Sequence, residues 1–79
     1  MHHLRMMQIV VDNRGLEPPQ PMVRILQALG QLGPGDELVA LMDREPRLLY
    51  AELERRGYTW EFTASEDGPR IRIWREPAP

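Results

Sequence analysis

Twice in succession this chain repeats one local pattern: a short apolar run, a polar turn, an early proline, and a segment with apolar residues at helical spacing. The first run is Gln8-Ile9-Val10-Val11-Asp12, β-branched at its centre and ended by Asn13-Arg14-Gly15, which reads as a buried strand. From Pro21 onward Met22, Ile25, Leu26, Leu29 and Leu32 recur at helical spacing. Prolines at 18, 19 and 21 suit a helix entrance, and Gly30 or Gly33 its exit. After the turn Gly33-Pro34-Gly35-Asp36 comes the second run, Glu37-Leu38-Val39-Ala40-Leu41-Met42, whose continuous apolar character predicts burial on both faces. Asp43-Arg44-Glu45-Pro46 is the second polar turn with its proline. Leu48, Leu49, Leu53 and the terminator Gly57 then mark a second helix with Glu52, Glu54, Arg55 and Arg56 mostly on its outer side.

The remainder changes period. Tyr58, Trp60 and Phe62 alternate with Thr59, Glu61 and Thr63, and Ile71 and Ile73 alternate with Arg70, Arg72 and Trp74, on either side of the turn Glu66-Asp67-Gly68-Pro69. The order is β-α-β-α-β-β. A right-handed first crossover predicts an α+β two-layer sandwich, a mixed four-stranded sheet with both helices on one face and the other face open. At 79 residues there is room for one domain, expected over 8–75 between flexible termini at 1–7 and 76–79.

Composition narrows the chemistry. There is no cysteine, which excludes disulfides, thiolate catalysis and a cysteine zinc site. All ten basic residues are arginine, and the formal charge of −2 argues against a general nucleic-acid or anionic-membrane binder. Residues 1–7 lack both a signal-peptide apolar core and the ~20 apolar residues of a membrane span, so a cytoplasmic location is expected. Without lysine, cysteine or a histidine in the predicted domain, and with Ser65 in a predicted turn, nucleophilic and metal mechanisms lack their usual residues. No enzyme and no cofactor are expected. Glu17 and Asp43 on adjoining loops could act as acid and base, a pairing too common to count.

If the first two strands run parallel, the loops that follow them meet at one edge, where both helices begin. That edge gathers Asp12, Arg14, Glu17, Asp43, Arg44, Glu45 and Arg47. Unpaired N–H groups and arginines there would suit a carboxylate or phosphate, with Arg14, Arg44 and Arg47 supplying charge and Glu17 and Asp43 orienting them. The other reading is structural: Asp43 caps the second helix and the arginines pair with Glu17 and Glu45.

At this edge the segment from Val11 to Pro21 resembles the opening of TusA-like (SirA-like) proteins, whose hallmark is a strand, Gly-Leu, then Cys-Pro-x-Pro at the start of the first helix. Here Gly15-Leu16 and Pro19-Gln20-Pro21 match, and Pro18 stands at the sulfur-carrying cysteine. Pro34-Gly35-Asp36-Glu37-Leu38 and the Asp-x-x-Pro at 43–46 match the second strand and its turn, so the resemblance spans roughly 8–75. It implies the fold and, through Pro18, the loss of sulfur transfer. The chain is most similar to a cysteine-lacking branch of unknown function with a like Asp-Arg-Glu-Pro and Leu-Tyr segment, here Asp43 to Pro46 and Leu49-Tyr50.

The expected role is therefore a non-catalytic binding or interaction module, its partner a protein or a small anionic ligand. Two alternatives stand beside it. His2 and His3 with Met1, Met6 and Met7 form a soft ligand set for copper or haem iron, unless they are simply a frayed terminus. Members of the branch that the chain resembles sometimes accompany haem, iron or nitrogen-oxide proteins, which implies a haem- or metal-linked redox accessory role. Arg70, Arg72 and Trp74 share one face of the last strand. If that face is open it could take a partner sheet or single-stranded RNA, or be a solvated face with Trp74 covered by Arg72. Tyr58, Trp60 and Phe62 are assigned to the core.

Overall fold

The computed structural model describes residues 7–76. Its elements are β1 (Gln8–Asp12), α1 (Gln20–Leu29), β2 (Glu37–Leu41), α2 (Arg47–Arg55), β3 (Thr59–Ser65) and β4 (Gly68–Trp74). They form one four-stranded sheet in the order β1-β2-β4-β3, with β1 parallel to β2 and the remaining pairs antiparallel. The mixed sheet with two helices is the α+β architecture that the sequence periodicity predicts.

Period two sorts the strands into faces. Val11, Leu38, Ala40, Ile71 and Ile73 point inward and meet Ile25 and Leu29 of α1 and Leu49 and Leu53 of α2 in a single core. The opposite face carries Val10, Glu37, Val39, Glu61, Arg70 and Arg72 and, among the described residues, no helix. The second strand is thus buried more deeply on one side than the other. Tyr58, Trp60 and Phe62 pack at the core's margin. Trp60 stacks on Tyr50 with ring centroids 5.3 Å apart, and the Tyr58 hydroxyl donates to the Leu29 carbonyl at 3.2 Å, tying β3's start to the end of α1.

Local chemistry explains the boundaries. At α1 the N-cap is Pro19, and Pro21 lies in the first turn, where a missing N–H is no loss. At α2 the stop is made by Gly57 at φ +82, with its N–H donating to Glu54 and the Tyr58 N–H reaching back to Leu53, a Schellman closure that satisfies two terminal carbonyls. The hairpin turn is shorter than the sequence suggests. Only Glu66 and Asp67 lie between the strands, because Ser65 pairs with Gly68 and Ala64 with Pro69. Pro69 forms no ladder N–H, yet its carbonyl accepts from Met42 just past the end of β2, so the strand extends through it.

Because the inward stripe forms one cluster, truncating its centre should be costly. Leu53→Ala, at a fully buried position, is expected to lower unfolding free energy by about 2–5 kcal/mol. Val10→Ala on the open face, where Val10 is 60% exposed, should change it by less than about 0.5 kcal/mol. Urea denaturation of both variants checks this, and equal losses would contradict a one-sided core.

Candidate functional site

Parallel register brings two loop starts side by side. Asp12 pairs with Leu41, the Asn13 N–H then donates to the Leu41 carbonyl at 2.9 Å, and the next residues, Asn13 and Met42, sit together at the strands' C-terminal edge. The loops of residues 13–19 and 42–46 diverge from there into α1 and α2. Further out a clasp joins them, Gly15 N–H to Asp43 Oδ2 at 2.8 Å. Gly15 has φ +80, a conformation that a side chain would strain, so the clasp depends on glycine. Asp43 is accordingly not a helix cap. The α2 N-cap is Pro46, with no side-chain hydrogen bond, and the Asp43 carboxylate bridges loops instead.

Between the loops lies a groove of about 360 Å³. Leu16, Met22, Met42 and Leu49 contribute apolar surface, prolines 18, 19, 21 and 46 stiffen its walls, and Leu48 stands at its margin with 86% of its surface exposed. The charged residues form part of the lining rather than a cluster within it. Asp43, Arg44 and Arg47 line the groove together with Glu45, whereas Arg14 and Glu17 do not.

Each charge has a traceable environment. Arg14 forks onto Asp12, Nε to Oδ1 at 2.9 Å and Nη2 to Oδ2 at 2.8 Å, and pairs with this carboxylate, not with Glu17. The side-chain hydrogen bond from Arg14, with its backbone N–H, holds the Asp12 carboxyl down at about 2. Arg47 pairs with Glu45 at 3.2 Å, as one reading of the sequence has it. Glu45 also accepts from the Tyr50 hydroxyl at 2.9 Å; burial, helped by this carboxylate, pushes Tyr50 up to about 12. Arg44 and Glu17 are exposed and make no ion pair among the described residues. Four arginines meet four carboxylates at this edge (Asp12, Glu17, Asp43, Glu45): Arg14 and Arg47 are paired with Asp12 and Glu45, and Arg24 donates to the Asp12 carbonyl at 2.8 Å.

The most unusual residue here is one that no sequence motif singles out. Asn13 lies at the groove and is 1% exposed, the sole buried polar side chain among the described residues. Its amide nitrogen donates to the Pro21 carbonyl at 2.9 Å and lies 3.6 Å from the Met42 sulfur, while its Oδ1 is buried with no donor. The available signal was parity. Asn13 stands two residues beyond Val11, so it continues the inward stripe of β1 past the strand's end.

On the open face, Arg72 reaches Glu37 at 3.5 Å and lies over the Trp74 ring, 4.4 Å from its centroid, while the indole N–H donates to Glu76 at 3.1 Å. Trp74 is therefore covered by Arg72, as the solvated-face reading has it. His2, His3, Met1 and Met6 lie outside the described residues; Met7 is described, and its N–H donates to Asp36 at 2.9 Å. Among the described residues no group of three or more histidine, cysteine, aspartate or glutamate side chains could hold a metal ion, and no helix is long and apolar enough to cross a membrane.

The Asp12–Arg14 fork has a pH signature. An aspartate of ordinary pKa 3.8 held at about 2 in the fold means that between those values the unfolded chain binds the extra proton, so stability rises with pH there. The contribution is complete above about 3.8 and is lost as pH falls towards 2. Asp12→Asn should flatten the acid limb of the urea midpoint measured against pH; an unchanged limb would show that the fork contributes nothing.

A model of the family described as an uncharacterized conserved protein, DUF2249, matches residues 10–75. The crystal structure of a SirA-like protein from Desulfitobacterium hafniense is similar with a TM-score of 0.72 and 28% identity, over 82% of this chain and 93% of that one. No curated protein matches the chain.

Proposed function

We propose that this chain, which belongs to the DUF2249 family and has a SirA-like fold, is a non-catalytic interaction module that receives an apolar segment of a partner protein in the groove between its two helix N-termini. With no cysteine in the sequence and Pro18 at the position where the resembled family carries sulfur, persulfide transfer has no nucleophile.

The observation that carries the proposal is Leu48. Leu48 is 86% exposed and joins the apolar groove lining, so the two form one contiguous apolar surface for a partner segment to cover. Covering such a side chain stabilises a complex by roughly 1.5–3 kcal/mol, and a rim of alternating charge sets register more than affinity. Asp43, Arg44, Glu45 and Arg47 follow one another in that sense around the lining. The same rim would hold a small anion less well, since Arg47 already faces Glu45 and Arg14 lies outside the groove on Asp12.

Affinity capture from lysate with the tagged chain tests this, wild type beside Leu48→Glu and Arg44→Ala. A partner retained by wild type should be lost with Leu48→Glu and weakened about threefold to tenfold with Arg44→Ala, at unchanged urea midpoints. Retention of the same partners by Leu48→Glu would remove the groove from consideration.

A further inference from the structure

We propose that the group received by the groove is an indole, the side chain of a tryptophan on the partner polypeptide, with its ring N–H donated to Asn13 Oδ1. This rests on the groove being the partner site.

The inference starts from an unmet acceptor. Burying an amide oxygen without a hydrogen bond is unfavourable, and a buried polar atom in a native fold is paired in the great majority of cases. Asn13 lies at the groove, and its Oδ1 is buried and unpartnered. Rotating the amide does not relieve it. The nitrogen must face the Pro21 carbonyl, 2.9 Å away, since an oxygen placed there would oppose another oxygen. The donors of Asn13 are thus directed at Pro21 and at the Met42 sulfur, and the unmet capacity is for accepting only.

A matching ligand is apolar over most of its surface and brings one donor and no acceptor. Among side chains this describes tryptophan, whose indole N–H donates and accepts nothing. A tyrosine hydroxyl would bring an acceptor of its own into an apolar lining, and lysine or arginine would bring a charge to be desolvated there. The groove's volume, about 360 Å³, falls at the small end of the roughly 300–1,000 Å³ of ligand pockets, enough for one large side chain. Oδ1 is closed to solvent, so the donor must displace lining atoms to reach it. Met22 and Met42 line the groove, and their unbranched thioethers repack more readily than branched side chains. In the complex the indole ring covers Leu48 and the thioethers while its N–H completes Asn13.

The test is an NMR titration of isotope-labelled full-length protein with three probes: N-acetyltryptophanamide, its analogue methylated on the indole nitrogen, and its analogue methylated on a ring carbon. The last two differ in whether a donor remains but not in added bulk. The two probes with an N–H should bind at least fivefold more tightly than the nitrogen-methylated one, the factor expected when a buried acceptor gains its partner, and should shift the Asn13 side-chain amide resonances. Leu48→Glu should weaken all three. Equal binding of all three probes at the groove resonances would overturn the indole–Asn13 pairing while leaving the groove as an apolar site. Failure of every probe to perturb the groove would overturn the pairing as well, and the Leu48→Glu capture experiment, which uses no indole, would decide separately whether the groove is a partner site.

Discussion

Five register pairs lock β1 against β2, and because these strands run parallel, their C-terminal ends arrive at the same edge of the sheet. A parallel pair requires a crossover between its strands, here containing α1, and the repeat of strand, turn and proline sends α2 off from the same side. The groove follows from this arrangement. Asn13 neighbours Met42 because they are the residues after the last pair, and Gly15 reaches Asp43 because their loops leave the sheet together. An antiparallel β1–β2 pair would have put the two loops at opposite ends.

Inward parity and charge do different work in the molecule. The apolar stripe through Val11, Leu38, Ala40, Ile71 and Ile73 supplies the burial that holds the two layers together. The ion pairs of Arg14, Arg47, Arg55, Arg56 and Arg72 lie at exposed or half-buried positions, where such pairs contribute little to stability but fix where guanidiniums point. The edge therefore presents an apolar groove with oriented charges beside it, and a polar atom at a position where the stripe would otherwise be hydrocarbon.

What could be read from the sequence follows the range of the interaction involved. Periods of two and 3.6 are local, so the elements and their faces were evident from Val10-Val11, from Ile25 and Leu29, and from Ile71 and Ile73; Gly57 marked a helix end by its own backbone freedom. The motifs from Gly15 to Pro21 and from Asp43 to Pro46 marked the family's fold. Side-chain pairing at the edge depends on loop geometry instead. Sequence alone suggests Glu17 or a ligand as the partner of Arg14, which turns back instead to Asp12, two residues away; it suggests Asp43 as the cap of α2, yet this carboxylate bonds a loop 28 residues distant in sequence. Gly68-Pro69 carries turn chemistry, yet pairing with β3 draws it into β4. Asn13 is a turn-forming residue of a kind ordinarily solvated after a strand, and its parity with Val11 is the one local sign of its burial.

The strand order has a bearing on how the chain becomes a domain. β4, the last of the four described strands in chain order, sits in the middle of the sheet, between β2 and β3. Until it is in place, β2 has only its parallel neighbour and α2 lacks the Ile71 and Ile73 side chains that share its core. β2 and β3 meet only through β4, so without it the sheet is not continuous. Groove and core therefore share one dependence: α2, which supplies Leu48 and Leu49 to the groove, is packed through Leu49 and Leu53 on the strand that comes last in chain order.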